Sequence, residues 1–178
     1  MKYSWLNYAL IALLLTISCK TVPLTGRKQL NMVPNSIITT MSFKAYDSLV
    51  KISPVLSQND ERAQMVTRVG TKIQQAVESY MQQNNMSKEL KNFKWEFNTI
   101  NEDIINAWCM PGGKVVVYSG LLPVSQTEEG LAVVIGHEIA HAIARHGNER
   151  MSEALFADET IIAIKYGLIN QIFFAVWS

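Results

Sequence analysis

Apolar residues recur at helical spacing along one long stretch: Val66, Val69, Ile73, Ala76, Val77 and Tyr80. That period predicts an amphipathic helix over residues 60–83, with Ser57 and Asp60 shaping its start. A shorter helix is expected over residues 42–52, and the polar residues 84–91 read as a loop. The period then changes. Phe93, Trp95 and Phe97 alternate with Lys94 and Glu96, the pattern of a half-buried strand. A second strand is expected over Ala107–Met110 and a third over Lys114–Tyr118, joined by a Pro111-Gly112-Gly113 turn. Gly120-Leu121-Leu122-Pro123 leads into a second long helix, expected over residues 127–146. Ser125 and Glu128 form its capping box, Arg145 and His146 suit its last turn, and Gly147 is its stop. This helix carries apolar residues on two sides, Leu131, Ile135, Ile139 and Ile143 on one and Val133, Gly136, Ala140 and Ala144 on another. Such a helix belongs in a protein interior. The expected fold is α+β, a small sheet with a long amphipathic helix and a buried motif helix.

The two ends read differently. Lys2 precedes an apolar run at residues 8–17, broken by Thr16, and small Ser18 stands before Cys19. This resembles a bacterial lipoprotein signal, cleaved before a cysteine that becomes lipidated, although Thr16 stands where leucine is usual. The alternative is an ordinary secretory signal or a membrane anchor. Several acyl chains on one cysteine would anchor it stably, since each buried methylene contributes about 0.8 kcal/mol. Residues 20–34, with Pro23, Gly26 and Pro34, read as an extended tether. Residues 160–178 are strongly apolar, but Lys165 interrupts them at a cost of about 2.5–3.5 kcal/mol for a membrane span. A buried or membrane-resting helix is the expectation there.

Composition narrows the picture further. The chain has 178 residues, enough for one domain, and its 48% hydrophobic and 17% charged content excludes a disordered tail. The net charge of +1, without a long basic run, excludes a nucleic-acid footprint. Cys19 and Cys109 sit in contexts too different for a disulfide pair, and Cys109 reads as a buried small hydrophobe.

The chemistry lies in His137-Glu138-Ile139-Ala140-His141. Histidines four apart on a helix are offset by about 40°, with side chains about 5–6 Å apart, so both imidazoles can reach one zinc ion. Glu138 lies about 100° round from His137, able to flank a water on that zinc without ligating the metal itself. That is the arrangement of a zinc peptidase, with the glutamate as acid/base. Two core histidines bonded to backbone groups are the alternative. His146 lies about 180° from His137 on a continuous helix and reads as a helix-end or second-shell group rather than a ligand.

Three segments carry a resemblance: Val22-Pro23-Leu24-Thr25-Gly26-Arg27, then Asn106-Ala107-Trp108-Cys109-Met110-Pro111-Gly112-Gly113-Lys114, then residues 136–150. In this order they resemble the HtpX/Oma-type zinc metallopeptidases, metallopeptidase family forty-eight, closest to the envelope lipoprotein branch. The resemblance implies a zincin-like arrangement and one zinc ion per chain. It implies His137 and His141 as ligands, Glu138 as catalytic acid/base, and endopeptidase action on membrane-associated or misfolded envelope proteins. It also implies that Lys114–Tyr118 is an edge strand where extended substrate pairs by strand addition. A third ligand, a glutamate on a later helix in the family, has no matching segment. Glu153 is too close to fold back. Glu159 stands 18 residues past His141, but its Ala157-Asp158-Glu159-Thr160 context differs from the family's. The chain is therefore expected to be the N-terminal part of such a domain, truncated and weak or inactive alone. The expected layout is a signal at 1–18, a lipid-anchored tether at 19–41 and the metallopeptidase domain from 42 to 178, on the outer membrane or periplasmic face of a bacterial envelope. The alternative function is a non-catalytic, envelope-anchored peptide-binding or quality-control module.

Overall fold

The computed structural model describes residues 19–156, apart from Pro23, Thr25 and Met32. The signal expected at residues 1–18, the apolar tail and Glu159 lie outside the described residues. The elements run β1 (Cys19–Thr21), β2 (Lys28–Leu30), α1 (Asn35–Ile52), α2 (Glu61–Gln83), β3 (Glu96–Ile100), β4 (Ala107–Met110), β5 (Lys114–Tyr118), a short α3 (Leu122–Ser125), α4 (Glu128–Ile143) and α5 (His146–Phe156). The class is mixed α+β, built on a three-stranded sheet in the order β3-β5-β4.

Alternation along the strands decides the layers. Phe97, Ala107, Cys109, Val115 and Val117 turn to one face, where Val66 and Val69 of α2 and Leu131, Ile135 and Ile139 of α4 cover them. Ile100, Trp108, Met110 and Val116 turn to the other, under Ile38, Ala45 and Tyr46 of α1 and Met151 of α5. Helices α2 and α4 thus share one face, and α1 supplies the opposite layer. The α2 contact is close: a Cβ added at Gly70 would lie 2.3 Å from the Phe97 ring. Gly70→Ala is therefore expected to cost about 1–3 kcal/mol by overpacking, read as a lower midpoint in urea unfolding. An unchanged midpoint would mean that α2 is not seated this tightly on β3.

The sheet order corrects one expectation. The strand Lys114–Tyr118 is central rather than at an edge, paired in parallel with β3 and antiparallel with β4. Lys114 is buried there, its ammonium 2.7 Å from Glu96 and 5.3 Å from the rings of Phe43 and Tyr46. Among the described strands β4 is the edge beside the motif helix. Its Asn106 carbonyl accepts from Tyr118 N at 3.1 Å, so by antiparallel alternation the backbone groups of Ala107 and Cys109 point away from β5.

Other boundaries moved for identifiable reasons. The first strand starts at Glu96, not Phe93, because Lys94 N and Glu96 N donate to Gly112 and Gly113 of the turn, at 2.7 and 3.1 Å. That turn needs glycine, with φ of 91° and 85° at Gly112 and Gly113. Helix α1 begins at Asn35, and Ser42 lies mid-helix, its buried hydroxyl donating to the Pro111 carbonyl at 2.8 Å. The tether–domain boundary expected at 41/42 falls inside that helix. Residues 19–21 and 28–30 are not a free tether: β1 and β2 pair antiparallel, and Arg27 forms an ion pair with Glu149 of α5.

The motif helix also differs from expectation. Its N-cap is Thr127, which accepts from Gly130 N, while the Ser125 hydroxyl instead turns back to the Leu122 carbonyl. It ends at Ile143, because Arg145 takes φ of 58° and breaks the run before His146. Gly147 lies inside α5. A left-handed arginine is unfavourable, and tertiary contacts hold it. Its guanidinium pairs with Glu89 and lies 3.0 Å from the Asn35 carboxamide, and its carbonyl accepts from Gln29 at 3.4 Å. Among the described residues no helix is long and apolar enough to cross a membrane.

Candidate metal centre

Helix α4 is buried along Leu131, Ile135, Ile139, Ala142 and Ile143. That seam fixes its rotation on the sheet, and rotation decides what the polar positions face. His137 is exposed, while Glu138 and His141 are half-buried. Of the second apolar side only Ala144 is buried: Val133 is 73% exposed, and Gly136 and Ala140 line an apolar groove of about 590 Å³ between α2 and α4. The expectation of a helix enclosed all round is thus replaced by one packed along a single seam.

The two histidines converge. Nε2 of His141 lies 2.8 Å from Nε2 of His137, with ring centroids 4.3 Å apart. Nitrogens bound to one tetrahedral zinc at about 2.0–2.1 Å would stand about 3.3 Å apart. Opening the pair by about half an ångström is a small rotamer adjustment, so the pair fits such an ion as two of its ligands. Among the described residues no group of three His, Cys, Asp or Glu side chains completes a metal site.

Electrostatics around the pair follow burial. Desolvation raises the Glu138 carboxyl above its usual range, against the opposing pull of His137 and Arg150. Desolvation also lowers His141, and its electrostatic neighbours His137, His146 and Arg150 add to the lowering. A half-buried carboxyl beside two converging imidazoles is suited to take up and return a proton. Cys109 lies on β4 under this helix, 2% exposed, its thiol pushed up by burial and then by the Glu138 charge. It is an inert core thiol by that environment.

Arg150 was not anticipated from spacing, and His146 was read there as a helix-end or second-shell group on the far side of the helix. His146 does not point away as a continuous helix requires. The break at Arg145 swings α5 back, so that Nδ1 of His146 meets Nδ1 of His141 with ring centroids 4.6 Å apart. Arg150, one turn further along α5, acts electrostatically on both Glu138 and His141.

The family model for peptidase family M48 matches residues 68–174, more than half of the chain, including most of α2, the three-stranded sheet and the motif helix. The chain belongs to peptidase family M48. Among its relatives, the mitochondrial metalloendopeptidase OMA1 of Arabidopsis thaliana is 43% identical over 70 residues, 39% of this chain and 14% of that protein. The human mitochondrial metalloendopeptidase OMA1 is 25% identical over 130 residues, 72% of this chain and 24% of that protein. The beta-barrel assembly-enhancing protease of Escherichia coli is 46% identical over 52 residues, 29% of this chain and 11% of that protein. The M48 chain thus spans a quarter or less of the length of these curated relatives. M48 peptidases are metal-dependent, generally on zinc.

Proposed function

We propose that this M48 chain is part of a zinc metalloendopeptidase in which His137 and His141 ligate the metal and Glu138 is the acid/base. The observation that carries the reading is the convergence of the two Nε2 atoms beside a half-buried carboxyl. Zinc, when bound, would polarise the scissile carbonyl and make water at the site a better nucleophile. Glu138 takes the proton of the attacking water and returns it to the leaving nitrogen. Strand β4 holds extended substrate through the outward Ala107 carbonyl and the Cys109 backbone, alongside the motif helix, with the Ala107 N–H already bonded to Asn106 Oδ1 at 2.9 Å. The zincin-like arrangement belongs to this reading, supported by an edge strand packed against a histidine-bearing helix.

The substrates we assign are membrane-associated or misfolded proteins of a bacterial envelope. Beta-barrel assembly-enhancing protease among the relatives supports that class by name. Residues 1–18 act as the signal, and Cys19 is the lipidated anchor. Because Cys19 pairs with Leu30 in the β1–β2 hairpin, the anchor is held beside the domain and not on a long leash. Intact-mass measurement of membrane-extracted protein is expected to give a chain that starts at a lipidated Cys19. A chain that keeps Met1, or an unmodified Cys19, would remove the anchor from the proposal.

Catalytic zinc normally takes three protein ligands, and the described residues supply two. The test of function is zinc-dependent cleavage of an unfolded protein by the purified chain, with the Glu138→Gln variant as blank. Cleavage that survives chelation, or equals that of the blank, would overturn the enzyme reading. Peptide binding without zinc would then favour a non-catalytic envelope module.

A further inference from the structure

We propose that His146 is a positioning residue for the metal centre: its Nδ1 accepts the Nδ1–H of His141 and so presents the bare Nε2 of His141 toward His137. The inference rests on the assignment of His137 and His141 as ligands. It concerns a residue that the helical phase of the motif places on the far side.

Given that ligand assignment, the contact geometry leaves one set of donor and acceptor roles. His141 uses both ring nitrogens, Nε2 toward His137 at 2.8 Å and Nδ1 toward His146. His146 therefore cannot share one ion with both Nε2 atoms, because it addresses the opposite edge of the His141 ring. Each contact joins two ring nitrogens, so in each one nitrogen donates and the other accepts. Two proton arrangements satisfy the row of three neutral rings. In one, His146 Nδ1–H donates to His141, which then carries its proton on Nε2 and offers no lone pair to a metal. In the other, His141 Nδ1–H donates to His146, and Nε2 of His141 is bare. Only the second is compatible with both Nε2 atoms binding one cation. His137 is exposed and exchanges its tautomer through water. His141 is half-buried, so its tautomer depends on the protein group that it meets, and that group is His146. A ligating imidazole whose other nitrogen is fixed by a protein acceptor has its ring orientation fixed as well.

The fold devotes structure to this contact. His146 opens α5 immediately after the left-handed Arg145, and the Arg145–Glu89 ion pair and the Asn35 contact hold that corner. Asn148 of the same turn donates its backbone N–H to the Arg145 carbonyl at 3.0 Å. The helix break thus carries His146 back over His141, where an unbroken helix would carry it away.

The experiment compares wild type, His146→Leu, His146→Asn and His141→Ala. Asparagine places an amide acceptor near the position of imidazole Nδ1, and leucine fills space without one. Zinc affinity is read by chelator competition, and the tautomer of His141 by nitrogen-15 shifts of the metal-free protein. His146→Leu is expected to weaken zinc about 10–100-fold and to leave His141 as a mixture of tautomers. His146→Asn is expected to restore both. Wild-type His141 is expected to carry its proton on Nδ1 before any metal is added. Zinc affinity of the leucine variant equal to wild type would overturn the proposal, as would equal loss in the leucine and asparagine variants, which marks packing alone. Loss in His146→Leu as complete as in His141→Ala would make His146 a ligand instead. A wild-type chain that binds no zinc refutes the ligand assignment, whereas a metal-free His141 with its proton on Nε2 refutes the role of His146 specifically.

Discussion

Glu138→Gln is expected to remove nearly all peptidase turnover while zinc content stays that of the parent. A positioned acid/base is worth about 10²–10⁴-fold in rate, and glutamine keeps the shape of the side chain but cannot take the proton. The substitution is mild for folding. Glu138 is half-buried, and desolvation already disfavours its charged form, so a neutral amide is accommodated there at least as well. The comparison uses initial rates on an unfolded protein, with metal content measured on the same samples. A glutamine variant that keeps most of the rate would remove Glu138 from the mechanism. A variant that loses zinc together with rate would make Glu138 a ligand and not a base.

His137→Ala and His141→Ala are each expected to weaken zinc binding more than about 100-fold, beyond the 10–100-fold range usual for groups that only support a ligand. Each removes one of two converging nitrogens, and one imidazole cannot hold the ion in a fixed geometry. The two variants differ in their effect on the fold. His137 is exposed, so its loss leaves stability unchanged within about 0.5 kcal/mol. His141 is half-buried and also meets His146, so its truncation frays the α4–α5 corner. Metal titration of the variants beside Glu159→Ala settles the third position. A loss with Glu159→Ala equal to that with His137→Ala would place the third ligand in this chain. Wild-type affinity in that variant would place it elsewhere. Unchanged zinc binding in both histidine variants would refute the centre altogether.

Strands β4 and β5 were legible to the residue, because two short apolar runs on either side of a Pro-Gly-Gly turn admit few alternatives. The long helix α2 was legible for a similar reason, six apolar positions on one stripe and an Asp60 cap that accepts from Arg62 N at 2.9 Å. The hairpin β1–β2 was not. Its Gln29 and Asn31 are polar by type yet buried, and only their packing near α1 and α5 makes them interior. Local pattern reports the face a segment prefers, whereas burial of polar groups depends on partners distant in sequence.

The same division runs through the site. The spacing of His137, Glu138 and His141 was sufficient for their roles to be proposed, because four residues make about one helical turn and a turn is a local geometry. Which strand borders that helix was decided by the tertiary structure: the order β3-β5-β4 puts β4 at the edge and buries the strand expected there. The place of His146 was decided there too. By sequence it continues a helix and points away. In the fold Arg145 is held left-handed by Glu89, Asn35 and Gln29, residues 56 to 116 positions earlier, and the chain turns back onto His141. Sequence periodicity was enough to bring His137 and His141 onto one face, because that geometry is internal to one helix. The corner that supports the pair was decided by long-range contacts strong enough to override a residue's own backbone preference.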